Sequence, residues 1–162
     1  MYLMKGNLYK AILLVLGLII LAFLFYNHKF FHDVKKFEDY KWHKSDKIVF
    51  AFEIDDTSKI YNIALNIRYI TGFSYKYLPL NIEISNPDGK KLIYEAKIQL
   101  ISDDKKYIGD GAGDYWDLDF PLPQYDFRKK GIYKITIEHS MNNDIAYPVN
   151  EIGISIIKKG KK

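Results

Sequence analysis

Beginning at Ile48, apolar residues alternate with polar or small ones, and this period of two constrains the fold more than any other feature. The alternating segments are 48–54, 61–69, 80–85, 92–101, 133–138 and 152–157. Successive side chains of a β-strand point to opposite faces, so each segment is typical of a strand with one buried face. Asn-Pro-Asp-Gly at 86–89 predicts a tight turn between the third and fourth strands. The segment 53–59 is interpreted as another turn, and no helical stretch follows Gly72.

The aromatic content and one short motif refine the fold class. Tyrosine and phenylalanine favour strands, and the chain of 162 residues contains 14 Tyr and 10 Phe. Gly131 and Tyr133 stand at the entry to the fifth alternating segment, which resembles the tyrosine corner of immunoglobulin-like domains. We therefore expect an all-β fold, an antiparallel β-sandwich of the immunoglobulin-like kind, preceded by one N-terminal transmembrane or signal-anchor helix.

That helix is predicted from an unbroken apolar run at 11–26, which follows Lys5 and Lys10. A full membrane span needs about 17–25 residues, and secretory signals have shorter apolar stretches. Bulky residues fill the place of a cleavage site, so residues 1–27 are expected to remain as a signal anchor. Lysines after the run favour a cytoplasmic domain by the positive-inside bias, whereas a basic segment before an apolar one is typical of exported proteins. We favour export, with the β domain in the periplasm.

Three further segments complete the predicted organisation. Residues 28–47 are charged and aromatic without a clear period, and we expect a juxtamembrane connector with a short helical piece near 33–40. Residues 48–158 form the predicted β-sandwich domain, and residues 159–162 form a basic tail. A sandwich of this size buries about two-thirds of the surface of its unfolded chain, so it needs no metal ion or disulfide to fold.

Charge and cysteine usage exclude several kinds of function. The net charge of +4 is carried partly by lysines at the two chain ends rather than by a basic folded face, so no nucleic-acid partner is expected. The sequence has no cysteine, which excludes disulfides, thiolate catalysis, iron–sulfur clusters and cysteine-ligated zinc. Basic chain ends fit solvation or contact with lipid headgroups.

The segment Tyr107–Pro123 combines three glycines, four aspartates and a tryptophan. A phosphate loop needs a glycine-rich turn before a helix, together with a lysine, but here aspartates stand between the glycines. An EF-hand calcium loop needs ligands at fixed alternate positions, and the four aspartates do not have that spacing. We therefore expect the glycines to adopt backbone angles closed to other residues, and the tryptophan to fill the core or a groove.

No catalytic, metal or cofactor site is predicted. His139 and Ser140 are adjacent at a strand end, where neighbouring side chains face opposite ways, so they are not expected to act as base and nucleophile. His28 and His32 would share a face if the connector were helical, with Asp33 and His43 nearby, but imidazoles near a membrane interface are commonly amphipathic fillers. The chain is therefore interpreted as a protein without enzymatic activity.

Two alternatives stay open. One is a calcium-dependent module, to which Asp110, Asp114, Asp117 and Asp119 would supply carboxylates, and the other, from aromatic residues in loops, is an envelope carbohydrate-binding module. The residues expected in loops or at strand ends are Trp42, Tyr75, Tyr77, Tyr115 and Trp116. Their rings can stack on sugars, but a tyrosine at a strand end more commonly buries its ring and leaves its hydroxyl in water. Weak glycan contact is therefore kept as the second hypothesis.

Six short motifs occur in a characteristic order: WHKSD at 42–46, YNIALNIRYITGFSYKYLPLNI at 61–82, PDGK at 87–90, GDGAGDYWD at 109–117, PLP at 121–123 and GIYKITIEHSM at 131–141. Together they resemble the GldH family of gliding-motility lipoproteins of Bacteroidetes, over about residues 33–158. The residues at the family's positions are Trp42, Asp46, Tyr61, Asn62, Arg68, Tyr75, Tyr77, Gly109, Gly111, Gly113, Asp114, Pro121, Pro123, Phe127 and Gly131.

The resemblance implies a non-enzymatic cell-envelope component of the gliding apparatus, which in that phylum is coupled to type IX secretion. Its partners would be other gliding or secretion proteins of the envelope. We expect a docking loop comprising Gly109, Asp110, Gly111, Gly113, Asp114, Tyr115 and Trp116, and a second loop comprising Tyr75 and Tyr77. Family members end their signal in a lipobox cysteine, which this sequence lacks. Membrane attachment is therefore expected to depend on the apolar run.

Overall fold

The computed structural model of the chain describes residue 10, residues 12–17 and residues 29–161. Residues 12–17 are helical, and within the described ranges no helix is both long and apolar enough to cross a membrane. Most of the predicted signal anchor, residues 1–27, lies outside the described residues.

The described part of the chain consists mainly of β-strands. They are β1 (Lys29–Lys36), β2 (Trp42–His43), β3 (Ile48–Ile54), β4 (Lys59–Ile70), β5 (Tyr77–Ser85), β6 (Lys91–Gln99), β7 (Asp110–Ala112), β8 (Tyr115–Pro121), β9 (Gly131–His139), β10 (Ile145–Ala146) and β11 (Val149–Lys161). A single 3₁₀ turn, Glu38–Tyr40, follows β1. The six alternating segments correspond to β3, β4, β5, β6, β9 and β11. The prediction of an all-β fold with antiparallel sheets is confirmed.

The strands form two large antiparallel sheets and one small one. The larger sheet has the order β1-β11-β4-β8-β7, and the four-stranded sheet has the order β3-β9-β5-β6. Strands β2 and β10 form a two-stranded ribbon. Both large sheets contribute inward side chains to one buried apolar cluster, in which the rings of Phe31 on β1 and Phe52 on β3 lie 5.6 Å apart. Burial of this shared face is the main stabilising term for the fold.

The first part of the expected connector is a strand. Strand β1 pairs with β11 along its length, so Lys29–Lys36 is an edge of the larger sheet, and the short helical piece expected near 33–40 corresponds to the 3₁₀ turn Glu38–Tyr40. The register shifts between Lys29 and Phe31, which interrupts the alternation that sequence analysis relies on. Gly153 makes the pairing sterically feasible, since a Cβ there would lie 2.5 Å from Val34 Cγ1.

The antiparallel registers align the strand ends into two ends of the domain. In the larger sheet, Lys36 pairs with Glu151, and Ile70 pairs with Tyr115. We call this the distal end, and its loops are 37–47, 71–76, 100–114 and 140–148. The opposite end, which we call the terminal end, contains the start of β1, the last residues of β11 and the turns 55–58, 86–90 and 122–130.

Tyr133, which follows Gly131 at the entry to β9, bonds back to the preceding turn at the terminal end. The hydroxyl of Tyr133 donates to the carbonyl oxygen of Lys129 at 3.0 Å, four residues upstream. Gly131 has a φ of 125° there, a backbone conformation that favours glycine.

Candidate functional site

The glycine–aspartate segment folds as a hairpin of β7 and β8. Gly111 pairs with Trp116 and Ala112 pairs with Tyr115, so Gly113 and Asp114 form the two-residue turn. Gly113 has a φ of 63°, as tight hairpin turns require. The predicted docking loop is therefore a defined hairpin at the distal end.

Glycine is required at Gly109 and at Gly111 for two different steric reasons. Gly109 has a φ of 131°, and a Cβ there would lie 2.4 Å from the carbonyl oxygen of Asp117. At Gly111, a Cβ would lie 2.9 Å from the ring of Trp116 on the paired strand. The expectation of unusual backbone angles is confirmed for Gly109 and Gly113, whereas Gly111 provides space for a ring.

Trp116 attaches the hairpin to the 71–76 loop. Its Nε1 donates to Thr71 Oγ1 at 3.1 Å, and its ring centroid lies 5.3 Å from that of Tyr107. The backbone N–H of Thr71 donates to the carbonyl oxygen of Asp114 at 2.9 Å. The tryptophan is half-buried, so it fills a groove between loops.

Tyr69, near the end of β4, is buried beneath the loop 100–114 and bonds to its backbone. The sequence pattern did not predict this role. The hydroxyl of Tyr69 lies 2.8 Å from the carbonyl oxygens of both Leu100 and Ile108 and accepts the N–H of Ile108 at 3.0 Å. Burial raises the pKa of Tyr69 to about 12. In the sequence, Tyr69 has the same place as every other inward residue of an alternating strand. The pattern therefore does not indicate that its hydroxyl bonds to a loop.

Trp42 and His139 form the buried base of the distal end. Trp42 is fully buried and stacks on Phe37 at 5.4 Å between ring centroids. His139 Nε2 lies 3.1 Å from the carbonyl oxygen of Trp42, and the two rings meet in a T-shaped contact with centroids 5.0 Å apart. Burial lowers the pKa of His139. Trp42 is thus a core residue, which removes it from the set of sugar-stacking candidates.

Three tyrosines on different loops are exposed at this end. Tyr40, Tyr75 and Tyr147 are exposed to 38%, 41% and 53%. The hydroxyls of Tyr40 and Tyr115 lie 3.3 Å apart, and this hydrogen bond is the main reason that the pKa of Tyr40 is raised. Tyr75 accepts a hydrogen bond from Asn143 Nδ2 at 2.5 Å, which joins two of the loops. The rings of Tyr40 and Tyr75 are therefore held in place by hydrogen bonds to residues of other segments.

The second predicted loop also lies at the distal end. Beside Tyr75 and Tyr77 there is an open groove of about 350 Å³, which Asn142 and Asn143 also line. Lys97 Nζ lies 4.4 Å from the centroid of the Tyr77 ring, a cation–π contact. The ring centroids of Phe73 and Tyr75 are 6.0 Å apart. The 71–76 loop therefore contacts the hairpin through Thr71 and lines the groove through Tyr75.

A second polar region lies on the outward face of the larger sheet. Lys36, Glu151, Arg68 and Asp117 lie side by side on four neighbouring strands, with alternating charge. Arg68 contacts Asp117 through two hydrogen bonds of 2.6 and 2.9 Å, which raise the pKa of the guanidinium, and Lys36 pairs with Glu151 at 3.2 Å. The depression beside them, about 200 Å³, is lined by charges that already have partners.

The carboxylates of the glycine–aspartate segment are directed to different places. Asp117 pairs with Arg68, and Asp119 accepts a hydrogen bond from Asn66 at 2.6 Å. Within the described residues, no group of three or more His, Asp and Glu side chains has an arrangement that could hold a metal ion.

Comparison with known proteins gives consistent results. Residues 29–156 match the family described as "GldH lipoprotein". The chain is 28% identical over 109 residues to the "Gliding motility lipoprotein GldH homolog" of Christiangramia forsetii, and the aligned region covers 65% of this chain and 67% of that protein. It is 25% identical over 135 residues to the "Gliding motility lipoprotein GldH" of Flavobacterium johnsoniae, and this aligned region covers 76% of this chain and 84% of that protein.

Similarity to solved structures is weaker. The crystal structure of the infectious bursal disease virus VP2 subviral particle aligns with 80% of this chain and 33% of the viral chain, with a TM-score of 0.39 and 12% identity. This chain therefore spans about a third of the viral protein, and the similarity supports no conclusion about function. The family match, in contrast, spans β1 to β11 and most of the sequence. The chain belongs to the GldH lipoprotein family.

Proposed function

We propose that this protein is a non-enzymatic cell-envelope component of the gliding-motility apparatus, associated with type IX secretion, and that it acts by binding other envelope proteins through its distal end. The names of its relatives support a role in gliding motility and a location in the envelope. We also propose that the two large sheets form an immunoglobulin-like β-sandwich, in which the larger sheet carries the N-terminal segment.

The observation that carries this proposal is the set of exposed tyrosines at the distal end, of which Tyr40 and Tyr75 are hydrogen-bonded to residues of other segments. Tyr40, Tyr75 and Tyr147 present large amphipathic rings at the end of the domain opposite to the start of β1. Aromatic residues are enriched at the energetic centres of protein interfaces. Rings that are held in place before binding lose less conformational entropy when a partner docks.

Attachment to the membrane is the second part of the proposal. The apolar run at 11–26 would serve as an uncleaved anchor, and the first strand of the domain begins at Lys29. Because β1 starts at the terminal end, an anchored domain keeps its distal loops clear of the anchor. The domain would lie in the periplasm.

A rescue experiment in a gliding relative that lacks its own copy of the gene tests the function. The wild-type gene should restore both surface spreading and the release of secreted cargo. The triple variant Tyr40→Ser, Tyr75→Ser, Tyr147→Ser should accumulate normally and fail to restore either. The control variant Val49→Ser, Ile132→Ser removes two comparably exposed apolar side chains from the outward face of the four-stranded sheet and should rescue fully. Full rescue by the triple variant would contradict the proposed docking surface, and failure of the wild-type gene would contradict the motility role.

The groove beside Tyr75 and Tyr77 supports a second candidate function, carbohydrate binding. Two tyrosine rings with two neighbouring amides are a combination that recognises sugars through stacking and hydrogen bonds. A glycan array with the full chain in detergent would reveal binding that Tyr75→Ser abolishes. Absence of any binding on the array would remove this candidate.

A further inference from the structure

Strand β6 is an edge of the four-stranded sheet and carries two exposed apolar residues. Among the described strands it pairs only with β5. Leu92 is exposed to 50% and Ile93 to 63%, although both lie in a regular strand of nine residues. An open edge of this length presents unpaired N–H and C=O groups, which is a template for pairing with another strand.

The charges of β6 make the strand complementary to itself in one register. Ile93 faces outward, with Lys91 two residues before it and Glu95 two residues after it. If a second copy pairs in antiparallel orientation about a two-fold axis at Ile93, each Lys91 lies opposite the Glu95 of the other copy. Opposite charges on directly paired positions stabilise a sheet, and two facing isoleucines cover each other.

Three other symmetric registers that keep both outward faces on one side are less favourable. An axis at Tyr94 places Lys91 opposite Lys97, and an axis at Glu95 places this carboxylate opposite its own copy. Like charges in direct opposition destabilise strand pairs. An axis at Ala96 requires an open edge at Ile101, where Tyr107 already pairs with the chain.

We propose that β6 is a self-association edge, at which two copies of this chain join their four-stranded sheets through antiparallel β6–β6 pairing centred on Ile93. The paired segment is Lys91–Glu95 of each copy, and on the inward side Leu92 of one copy lies opposite Tyr94 of the other. The joined sheet would have eight strands, with both outward faces on the same side.

This arrangement is compatible with two copies anchored in one membrane. Ile93 lies near the terminal end of β6, since it pairs with Glu83 close to the end of β5. Because β1 packs beside β3, at the edge of the four-stranded sheet opposite to β6, the first residues of the two β1 strands would lie on opposite sides of the two-fold axis. Both larger sheets would lie on the same side of the joined sheet, and the two distal ends would point away from the axis in opposite directions. Both sets of distal loops remain open.

Cysteine cross-linking of the full chain tests the register directly, because the natural sequence contains no cysteine. Directly opposed residues of an antiparallel pair have Cα atoms about 4.5–5.5 Å apart, within the range of a disulfide. The Ile93→Cys variant in detergent or vesicles should therefore oxidise to a covalent dimer in most of the protein. In the Glu95→Cys variant the two thiols are offset by four residues, about 14 Å along the strand, so little dimer should form.

A charge exchange in the Ile93→Cys background tests the pairing of Lys91 with Glu95. Adding Lys91→Glu should reduce the yield of dimer severalfold, and adding both Lys91→Glu and Glu95→Lys should restore it. Ile132→Cys, on the exposed face of the same sheet, is the matched control and should not cross-link. The proposal is overturned if Ile93→Cys stays monomeric, if it cross-links no better than Glu95→Cys or Ile132→Cys, or if the double exchange fails to restore the yield.

Discussion

The turns at the terminal end are closed by residues close in sequence, whereas the loops at the distal end are held by residues far apart in sequence. At the terminal end, Asp56 Oδ1 accepts hydrogen bonds from the backbone N–H and the hydroxyl of Ser58, two residues later. Asn86 Oδ1 accepts the N–H groups of Asp88 and Lys90, two and four residues later. Each of these turns is thus specified by its own short sequence.

The distal end has a different kind of support. Trp116 bonds to Thr71 across 45 positions of the sequence, and Tyr69 bonds to Ile108 across 39. His139 contacts the carbonyl oxygen of Trp42 across 97 positions. A loop held in this way keeps its shape only when the whole domain is folded, so its exposed tyrosines depend on distant core residues.

The largest expected effect comes from Trp42→Ala. The side chain is fully buried between Phe37 and His139, and removal of a buried aromatic ring costs about 3–5 kcal/mol. Phe127→Ala, which removes a buried ring at the terminal end, should cost a similar amount in chemical denaturation. Amide hydrogen exchange should distinguish the two variants. Only Trp42→Ala should speed the exchange of amides in 140–148, because Trp42 contacts His139 directly before that loop. Equal protection of that loop in both variants would contradict the difference between the two ends.

A smaller effect is expected from Tyr69→Phe. The change removes the hydroxyl that contacts the carbonyl oxygens of Leu100 and Ile108. The N–H of Ile108 keeps its bond to the carbonyl oxygen of Leu100 at 2.9 Å, but the carbonyl oxygen of Ile108 loses the Tyr69 hydroxyl, at a cost of about 1–3 kcal/mol. Tyr61→Phe at the terminal end removes a hydroxyl that bonds to the carbonyl oxygen of Asp56 at 2.9 Å and lies 3.5 Å from the carboxylate of the exposed Asp55, and it should cost about 1 kcal/mol or less. Urea denaturation of the two variants gives the comparison. A larger loss for Tyr61→Phe would show that the distal loops do not depend on Tyr69.

The same contrast explains how much of the fold and of the candidate site could be predicted. The turns at 53–59 and 86–89 were predicted because their determinants are local, and the alternating segments became strands because their period is set by one buried face. Strand β1 was missed because the shift between Lys29 and Phe31 breaks the alternation and because its outward residues are charged. In general, edge strands give the weakest pattern.

The site itself was predicted only as a set of loops. The conformations of Gly109 and Gly113 could be predicted since glycine is the residue that tolerates a positive φ. The role of Gly111 depends on a ring five residues later that folds back over it. Tyr69, Thr71 and Asn143 carry the contacts between loops, and nothing in a single sequence indicates which residues from remote segments will meet.

The pH dependence of stability should report on the base of the distal end. Burial lowers the pKa of His139 below the 6.5 of an exposed histidine. Below pH 6.5 the unfolded chain gains a proton that the folded protein does not take up, so the free energy of unfolding should fall as the pH falls through this range. His139→Gln should flatten this part of the stability curve. An identical slope in His139→Gln and in the wild type would contradict the assignment.

The smallest expected effects come from two lysines, one at each end. Lys158 pairs with Asp55 at 3.3 Å in an exposed position at the terminal end, and Lys158→Met should leave the denaturation midpoint unchanged because exposed ion pairs contribute little. Lys44 donates to the carbonyl oxygen of Met141 at 2.8 Å and joins two distal loops. Lys44→Met should also leave the midpoint almost unchanged, but it should speed amide exchange in 140–148, since the loop loses a remote contact that nothing local replaces. If Lys158→Met instead loosened its own end by a similar amount, the terminal turns would depend on remote contacts as well, and the contrast between the two ends would not hold.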